Sequence, residues 1–547
     1  MSDHVFGANI LENLTTGMYR DSKVLYREYI QNACDSIDKA EEIGILPKRD
    51  SSGKYPSIGQ GCINIWLNLD ERRISIEDNG TGIKANDFRR ILENIADSDK
   101  TLGKEKGFRG IGRLCGLAYC NKLVFTSRYK NEKIISIMTC DALKMRKMIN
   151  DTNTKIKKYS AIEVLNAITE FSIRDATSED PVHFFKVELI HINEENEELF
   201  GGKDSNGIET LTDYLSFIAP VPYQANFVYR SEIYKYAKKL NVRIDEYDIR
   251  INAQQIYKKY KTHLETGNGQ DDVFGVEFKD FRLSNDTLIA WMWFGKTTFK
   301  AAIKEGEKSR GIRLRKENIQ IGDEDTLRGM FSRESSKRGN NYFVGEIFAT
   351  SPELIPNSQR TYFNENPLRI NLEHMLSDYF NNTLYNIYYD GSDTSASVKK
   401  IATYSEAYRN FEKKKKEGFV SNEERETEQQ ILEEKKIAAE KAKTNLEKKC
   451  NEGGKSILGR EIAKRRIDEI NTKHTDKAQQ ISIELPDIKK THTGKKVNLT
   501  DTMFPKHNHA ERKLLSEMLE KVFVIIRKTT DKKTAETIIN RIKTDLK

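Results

Sequence analysis

Three polar segments, in fixed order within the first 112 residues, constrain this chain more than anything else in it. The first is Arg27-Glu28-Tyr29-Ile30-Gln31-Asn32-Ala33-Cys34-Asp35. Read as a helix, it sets Glu28, Asn32 and Asp35 at i, i+4 and i+7, on one face. Ile30, Ala33 and Ile37 supply an apolar side. Taken alone, such a line is more often a solvated helix face than a site. The second segment, Ile74-Ser75-Ile76-Glu77-Asp78-Asn79-Gly80-Thr81-Gly82, alternates like a strand and ends in a carboxylate and two glycines. The glycines permit a sharp turn and the close approach of a flat ligand. Asp78 suits an exocyclic amine such as that of adenine. Alone, this too reads as a strand entering an Asn-Gly turn. The third, Gly107-Phe108-Arg109-Gly110-Ile111-Gly112, precedes an apolar, helix-compatible run. A glycine-rich turn opening a helix offers backbone N–H groups and the positive end of the helix dipole, which suits polyphosphate. No Gly-Lys-Ser/Thr closes it and no Gly-x-Gly-x-x-Gly is present, so neither a P-loop nor a Rossmann fold is indicated.

In this order, Glu-x-x-x-Asn-x-x-Asp, Asp-x-Gly-x-Gly and Gly-x-x-Gly-x-Gly resemble the signature of the GHKL ATPase superfamily: gyrase, the ninety-kilodalton heat-shock chaperones, histidine kinases and MutL. The resemblance is nearest the heat-shock chaperones, through Asn9 to Ala40 with Tyr19-Arg20-Asp21-Ser22-Lys23 before the first motif. The Gly107-Phe108-Arg109-Gly110 turn is more like MutL. The resemblance implies an α+β chain in three parts. Residues 1–205 form a Bergerat-type α/β sandwich that binds ATP, residues 206–390 an α/β transducer or middle domain, and residues 391–547 a charged helical, partly coiled-coil region. It implies Glu28 as general base on the attacking water, Asn32 as the Mg²⁺ ligand and Asp35 near the nucleotide. Asp78 would read adenine with Gly80 and Gly82 beside it. Gly107, Gly110 and Gly112 would form the phosphate turn, and Lys100 a lid lysine near phosphate. One departure stands out. Relatives often carry Gly-Thr before the last strand of the domain, where the Thr hydroxyl supports the adenine carboxylate. Here the stretch is Phe184-Phe185-Lys186-Val187-Glu188-Leu189, which bears on nucleotide affinity and base preference.

Further on, strand patterns occur at 274–278, 288–294 and 311–315. Then comes Val344-Gly345-Glu346-Ile347-Phe348, leading to Leu354-Ile355-Pro356-Asn357-Ser358-Gln359-Arg360. This resembles the chaperone middle domain, where the matching arginine reaches the terminal phosphate. The resemblance thus implies Arg360 as a second catalytic residue. The competing readings are a surface loop arginine, or Lys300 and Lys304 in a MutL-type lysine role.

A chain of 547 residues holds more than one domain. Its formal charge of +8, from 91 basic and 83 acidic residues, does not indicate a dedicated nucleic-acid binder. No apolar run reaches membrane-spanning length, and Met1-Ser2-Asp3-His4 does not begin a signal peptide. Cys34, Cys115, Cys120 and Cys140 sit in apolar contexts that suit a reducing cytoplasm, and the six cysteines show no metal spacing. From about Ser405 to Lys477 the chain is rich in Lys and Glu. Glu433 to Lys449 reads as a charged helix, broken at Gly453-Gly454, with terminal helices at 509–524 and 534–546. His507-Asn508-His509 has the look of a nuclease motif, without a second ligand cluster. The whole predicts a cytoplasmic, Mg²⁺-dependent ATPase. In it, ATP drives closure of a homodimer on a protein client or partner complex, with no membrane partner. The alternative is a MutL- or MORC-like, DNA-associated clamp in DNA maintenance or anti-phage defence. Intact Glu28 and Asn32 argue against a non-hydrolysing scaffold. The absence of a membrane span or phospho-acceptor helix before the motifs argues against a histidine kinase.

Overall fold

The computed structural model describes residues 6–17, 21–49, 55–57, 59–94, 112–202 and 207–475, with 529–545 and a few positions between 515 and 527. It separates into two units, residues 1–472 and 473–547. Lys100, Gly107, Gly110 and the His507-Asn508-His509 motif lie outside the described residues.

The first unit is organised by two sheets. The first contains β1 (Cys62–Asn68), β2 (Arg73–Asp78), β3 (Cys120–Arg128), β4 (Ile134–Asp141), β5 (Thr169–Asp175), β6 (Phe184–Ile192), β7 (Asp248–Ile251) and β8 (Gln254–Gln255). Their order is β5-β4-β3-β6-β2-β1-β7-β8. All pairings are antiparallel except β1 with β7. Ile63, Ile65 and Leu67 of β1 are buried, whereas Trp66 between them is exposed. This alternation belongs to a sheet covered on one face. Helices Val24–Glu42, Ala142–Asn153 and Ala161–Ile168 supply that cover, and their apolar sides join the sheet in one core. β7 and β8 come from beyond residue 205, so the chain returns to this sheet after the helices Gly207–Ile218 and Arg230–Lys239.

A two-stranded ribbon, β9 (His263–Thr266) with β10 (Gly269–Asp272), precedes the second sheet. That sheet comprises β11 (Gly275–Arg282), β12 (Leu288–Lys296), β13 (Gly311–Lys316), β14 (Ile319–Ile321) and β15 (Val344–Ala349), ordered β11-β12-β15-β13-β14. Seven successive residues of β12 are buried, because both faces are covered. Trp291 and Trp293 enter one cluster with Tyr223, Phe227 and Tyr260, while Ala290, Met292 and Phe294 enter another with the helix Pro367–Tyr379.

Long helices follow. Tyr385–Glu417 ends at Gly418, whose φ is 105°. The next helix, Asn422–Glu452, extends further at both ends than the 433–449 stretch read from charge pairs. Its N-terminus is fixed by Ser421, whose Oγ accepts from Glu424 N at 3.1 Å, and its end by Gly453. These two helices pack side by side, with Lys449 Nζ 2.7 Å from Asp393. In the second unit, helix Lys532–Asp545 starts after Asp531, whose carboxylate accepts from Lys533 N and Thr534 N. Among the described residues no helix is long and apolar enough to cross a membrane.

Candidate functional site

Helix Val24–Glu42 is buried on most sides, through Leu25, Tyr26, Tyr29, Ile30, Ala33, Cys34 and Ile37. Glu28, Asn32 and Ser36, one turn apart, are its less buried stripe, and Asp35 beside them is 8% exposed. The polar line read from the sequence is therefore neither core nor open solvent face. At Ser36 it meets the turn that follows β2.

Ser36, Ser127 and His183, which spacing did not single out, help hold that turn. Asp78 ends β2 with 3% exposure, and its carboxylate accepts from Gly80 N at 2.9 Å. Ser36 holds the turn to the helix, its carbonyl and Oγ both accepting from Thr81 N. A Cβ on Gly80 would collide with Ser36, so this close approach requires glycine. Gly82 adopts φ +64°, and a Cβ there would strike the carbonyl of Arg128. Ser127 Oγ accepts from Ile83 N and donates to the Phe184 carbonyl. The ring nitrogen Nδ1 of His183 lies 2.6 Å from the Gly80 carbonyl. Phe185 stands opposite Asp78 in the β2–β6 register, so the strand position beside that carboxylate carries a ring and no hydroxyl.

Gly112 begins the short helical turn Gly112–Ala118. A Cβ on it would collide with Glu28 Oε2, so the backbone lies directly against that carboxylate. Tyr29 fastens the turn: its hydroxyl donates to Arg113 O and accepts from Gly116 N, both at 3.1 Å. Burial pushes the Tyr29 hydroxyl far above its ordinary pKa, so it stays protonated and can donate. Burial also lowers the Arg113 guanidinium to about 10. Tyr29 sits beside Glu28 in sequence and looks like ordinary core; only the fold reveals its second role.

Arg360 reaches the same place from the second half of the unit. Its loop is ordered by Asn357, whose carbonyl accepts from Arg360 N at 3.0 Å and whose side chain bonds Thr361 at both ends. Arg360 itself takes φ +52°, and its carbonyl accepts from Gly322 N. A non-glycine residue in this region costs about 1 kcal/mol or more, which the surrounding bonds offset. The guanidinium Nε lies 3.7 Å from Glu28 Oε1, with the two side chains 9% and 13% exposed. The alternative cations sit elsewhere: Lys300 Nζ is 3.6 Å from Glu469 and Lys304 Nζ is 3.0 Å from Glu265. Among the described residues no cluster of His, Cys, Asp and Glu has the makings of a metal centre.

Comparison with known proteins covers part of the chain. Residues 22–174 match the family described as histidine kinase-, DNA gyrase B-, and HSP90-like ATPase. Chaperone protein HtpG of Campylobacter jejuni subsp. doylei is 32% identical over 90 residues, 16% of this chain and 14% of that protein. HtpG of Campylobacter jejuni subsp. jejuni serotype O:6 is 25% identical over 157 residues, 26% of this chain and 25% of its own length. HtpG of Buchnera aphidicola is 23% identical over 223 residues, 37% and 34% respectively. The similarity thus spans about a third or less of these chaperones. Within those bounds, the chain carries an ATPase domain of the GHKL superfamily, and the relatives it resembles are HSP90-type chaperones.

Proposed function

We propose that this chain is a Mg²⁺-dependent ATPase whose hydrolysis step needs both halves of the first unit, and whose closure on ATP acts on a protein client within a homodimer. The observation that carries the reading is the approach of Arg360 to Glu28. Phosphoryl transfer needs an aligned water and neutralised charge more than covalent help. Glu28 would take the proton of the attacking water and Arg360 would meet the charge on the terminal phosphate.

The residues fit the nucleotide chemically. A buried carboxylate at a strand end, beside a glycine turn too tight for a side chain, suits a flat base with an exocyclic amine. Asn32 offers a hard amide oxygen for Mg²⁺, which usually takes few protein ligands. The metal would neutralise phosphate charge. Asp35 would support that end of the site, and Gly112 would let the backbone reach the phosphates. The same roles are proposed for Gly80 and Gly82 at the base and for Lys100, Gly107 and Gly110 at the phosphates. With Ser127 engaged by Ile83 and Phe184, Phe185 leaves Asp78 to read the base without a strand hydroxyl.

Isothermal titration of ATP into wild type and Asp78→Asn tests the base site. Losing one side of a buried charged hydrogen bond should weaken binding by about 2–5 kcal/mol. Unchanged affinity would sink the assignment.

A further inference from the structure

A recess lies in the first unit, beside Arg360. It is a cleft of about 520 Å³ between the start of helix Val24–Glu42, the helix Gly207–Ile218 and the loops around β13 and β14. Three arginines less than a tenth exposed line it: Arg27 at 7%, Arg313 at 5% and Arg360 at 8%. Arg27 and Arg313 each leave Nε buried without a hydrogen-bond partner. Among the described residues no carboxylate lies within ion-pair distance of Arg27, and Tyr214 is its polar neighbour. Arg313 donates to Gln320 Oε1 at 2.9 Å and lies over the Phe217 ring, with Glu324 3.7 Å away.

A buried guanidinium without a counter-charge is costly. The carboxylates around the cleft do not meet that need at Arg27. Asp213 is 2.5 Å from Lys259, Glu307 is 3.5 Å from Lys261, and Glu198 accepts from Ser22 Oγ at 2.6 Å. Asp21, Glu305, Asp323 and Glu324 also line the cleft, and none of them pairs with Arg27, so it is the unmet donor at Arg27 that a small anion with several acceptor oxygens would satisfy. Arg360 lines this cleft and also approaches Glu28, so one side chain touches both the cleft and that carboxylate.

We propose that the cleft is a binding site for inorganic phosphate, held by Arg27 and Arg313 with Arg360 at its inner wall. It receives the phosphate released by hydrolysis. A planar guanidinium binds a tetrahedral oxyanion through paired N–H donors. Phosphate held there keeps Arg360 partly neutralised and delays its return to Glu28. The assignment of phosphate as the natural occupant rests on the ATPase reading above.

The test is equilibrium dialysis of radiolabelled inorganic phosphate with the full chain, alone and saturated with a non-hydrolysable ATP analogue. The expected result is one saturable phosphate that survives the analogue. Arg27→Gln and Arg313→Gln should each weaken it about tenfold or more, the loss of one charge-assisted contact. Lys308→Gln, at the exposed rim of the cleft, should weaken it slightly at low salt; its fold is not at risk if the arginine variants fail to fold. No saturable phosphate, phosphate displaced fully by the analogue, or affinity indifferent to all three substitutions would each overturn the site. If the chain failed to bind the analogue, the ATPase reading would fall while the phosphate arm still judged the cleft.

Discussion

Glu346 and Glu28 both face an arginine, but the two pairs are built in opposite ways. Glu346, on β15, is fully buried and accepts from Arg315 Nε, Lys258 Nζ at 3.1 Å, Trp293 Nε1 at 3.2 Å and the Tyr223 hydroxyl. Burial alone would raise its pKa, but Arg315 and Lys258 outweigh it and hold the carboxyl at about 2. Lys258 answers with Asn318 at 2.6 Å, and Asn318 in turn donates to the Asp245 carbonyl. This network ties the segment after β7 to the second sheet. Glu28 has one long ion pair, 3.7 Å to Arg360, has the Gly112 backbone against its Oε2, and accepts no hydrogen bond from the described residues. Desolvation of a buried ion pair is repaid only when geometry is close and the remaining lone pairs are satisfied. Glu346 meets that condition and serves as a lock. Glu28 does not: its carboxylate has no such close set of donors among the described residues.

The contrast breaks most sharply at Glu28. Glu28→Ala should lower steady-state ATP turnover about 10²–10⁴-fold, the range for loss of a general base, while ATP still binds. Its melting temperature should hardly move. Wild-type turnover would make Glu28 a packing residue and erase the distinction.

Glu346→Gln should do the reverse. Removing one partner of a buried charge pair costs about 3–5 kcal/mol, here by leaving Arg315 and Lys258 uncompensated. Urea unfolding of the full chain should show that loss, with ATP affinity retained in whatever fraction stays folded. A loss below about 1 kcal/mol would place this cluster among ordinary surface pairs.

A smaller effect sharpens the comparison through pH. The folded Glu346 carboxyl is depressed from 4.5 to about 2. Its contribution to stability is thus present above 4.5 and lost as pH falls from 4.5 towards 2. Unfolding followed over that window should be less steep in Glu346→Gln than in wild type. Identical slopes would show that other carboxylates carry the acid limb.

The sequence carried the short-range parts of both regions and little of their joining. Spacing alone put Glu28, Asn32 and Asp35 on one face, and the alternation of β2 followed by glycines marked the turn at Asp78. The strands read at 288–294, 311–315 and 344–348 lie within β12, β13 and β15, and 274–278 overlaps β11 from Gly275 on. Ser36, Ser127, His183 and Tyr29 were not legible, because each acts on backbone groups brought near only by the tertiary fold. The return of β7 to pair with β1 was equally hidden, since a four-residue strand has too few residues to show a period. Lys258 is the clearest case. In Tyr257-Lys258-Lys259-Tyr260-Lys261 it looks like one surface lysine among three, yet it is fully buried, drawn in by Glu346 from 88 residues away.

The central claim is that Arg360 completes the site of Glu28 from the second half of the unit. Steady-state ATPase rates and ATP affinity of full-length Arg360→Ala test it most directly. The account predicts turnover reduced at least about tenfold, below the ~10³–10⁵ that such arginines contribute elsewhere, with ATP affinity nearly unchanged. Wild-type turnover in Arg360→Ala would contradict it and leave Arg360 as a loop residue that happens to lie near a carboxylate.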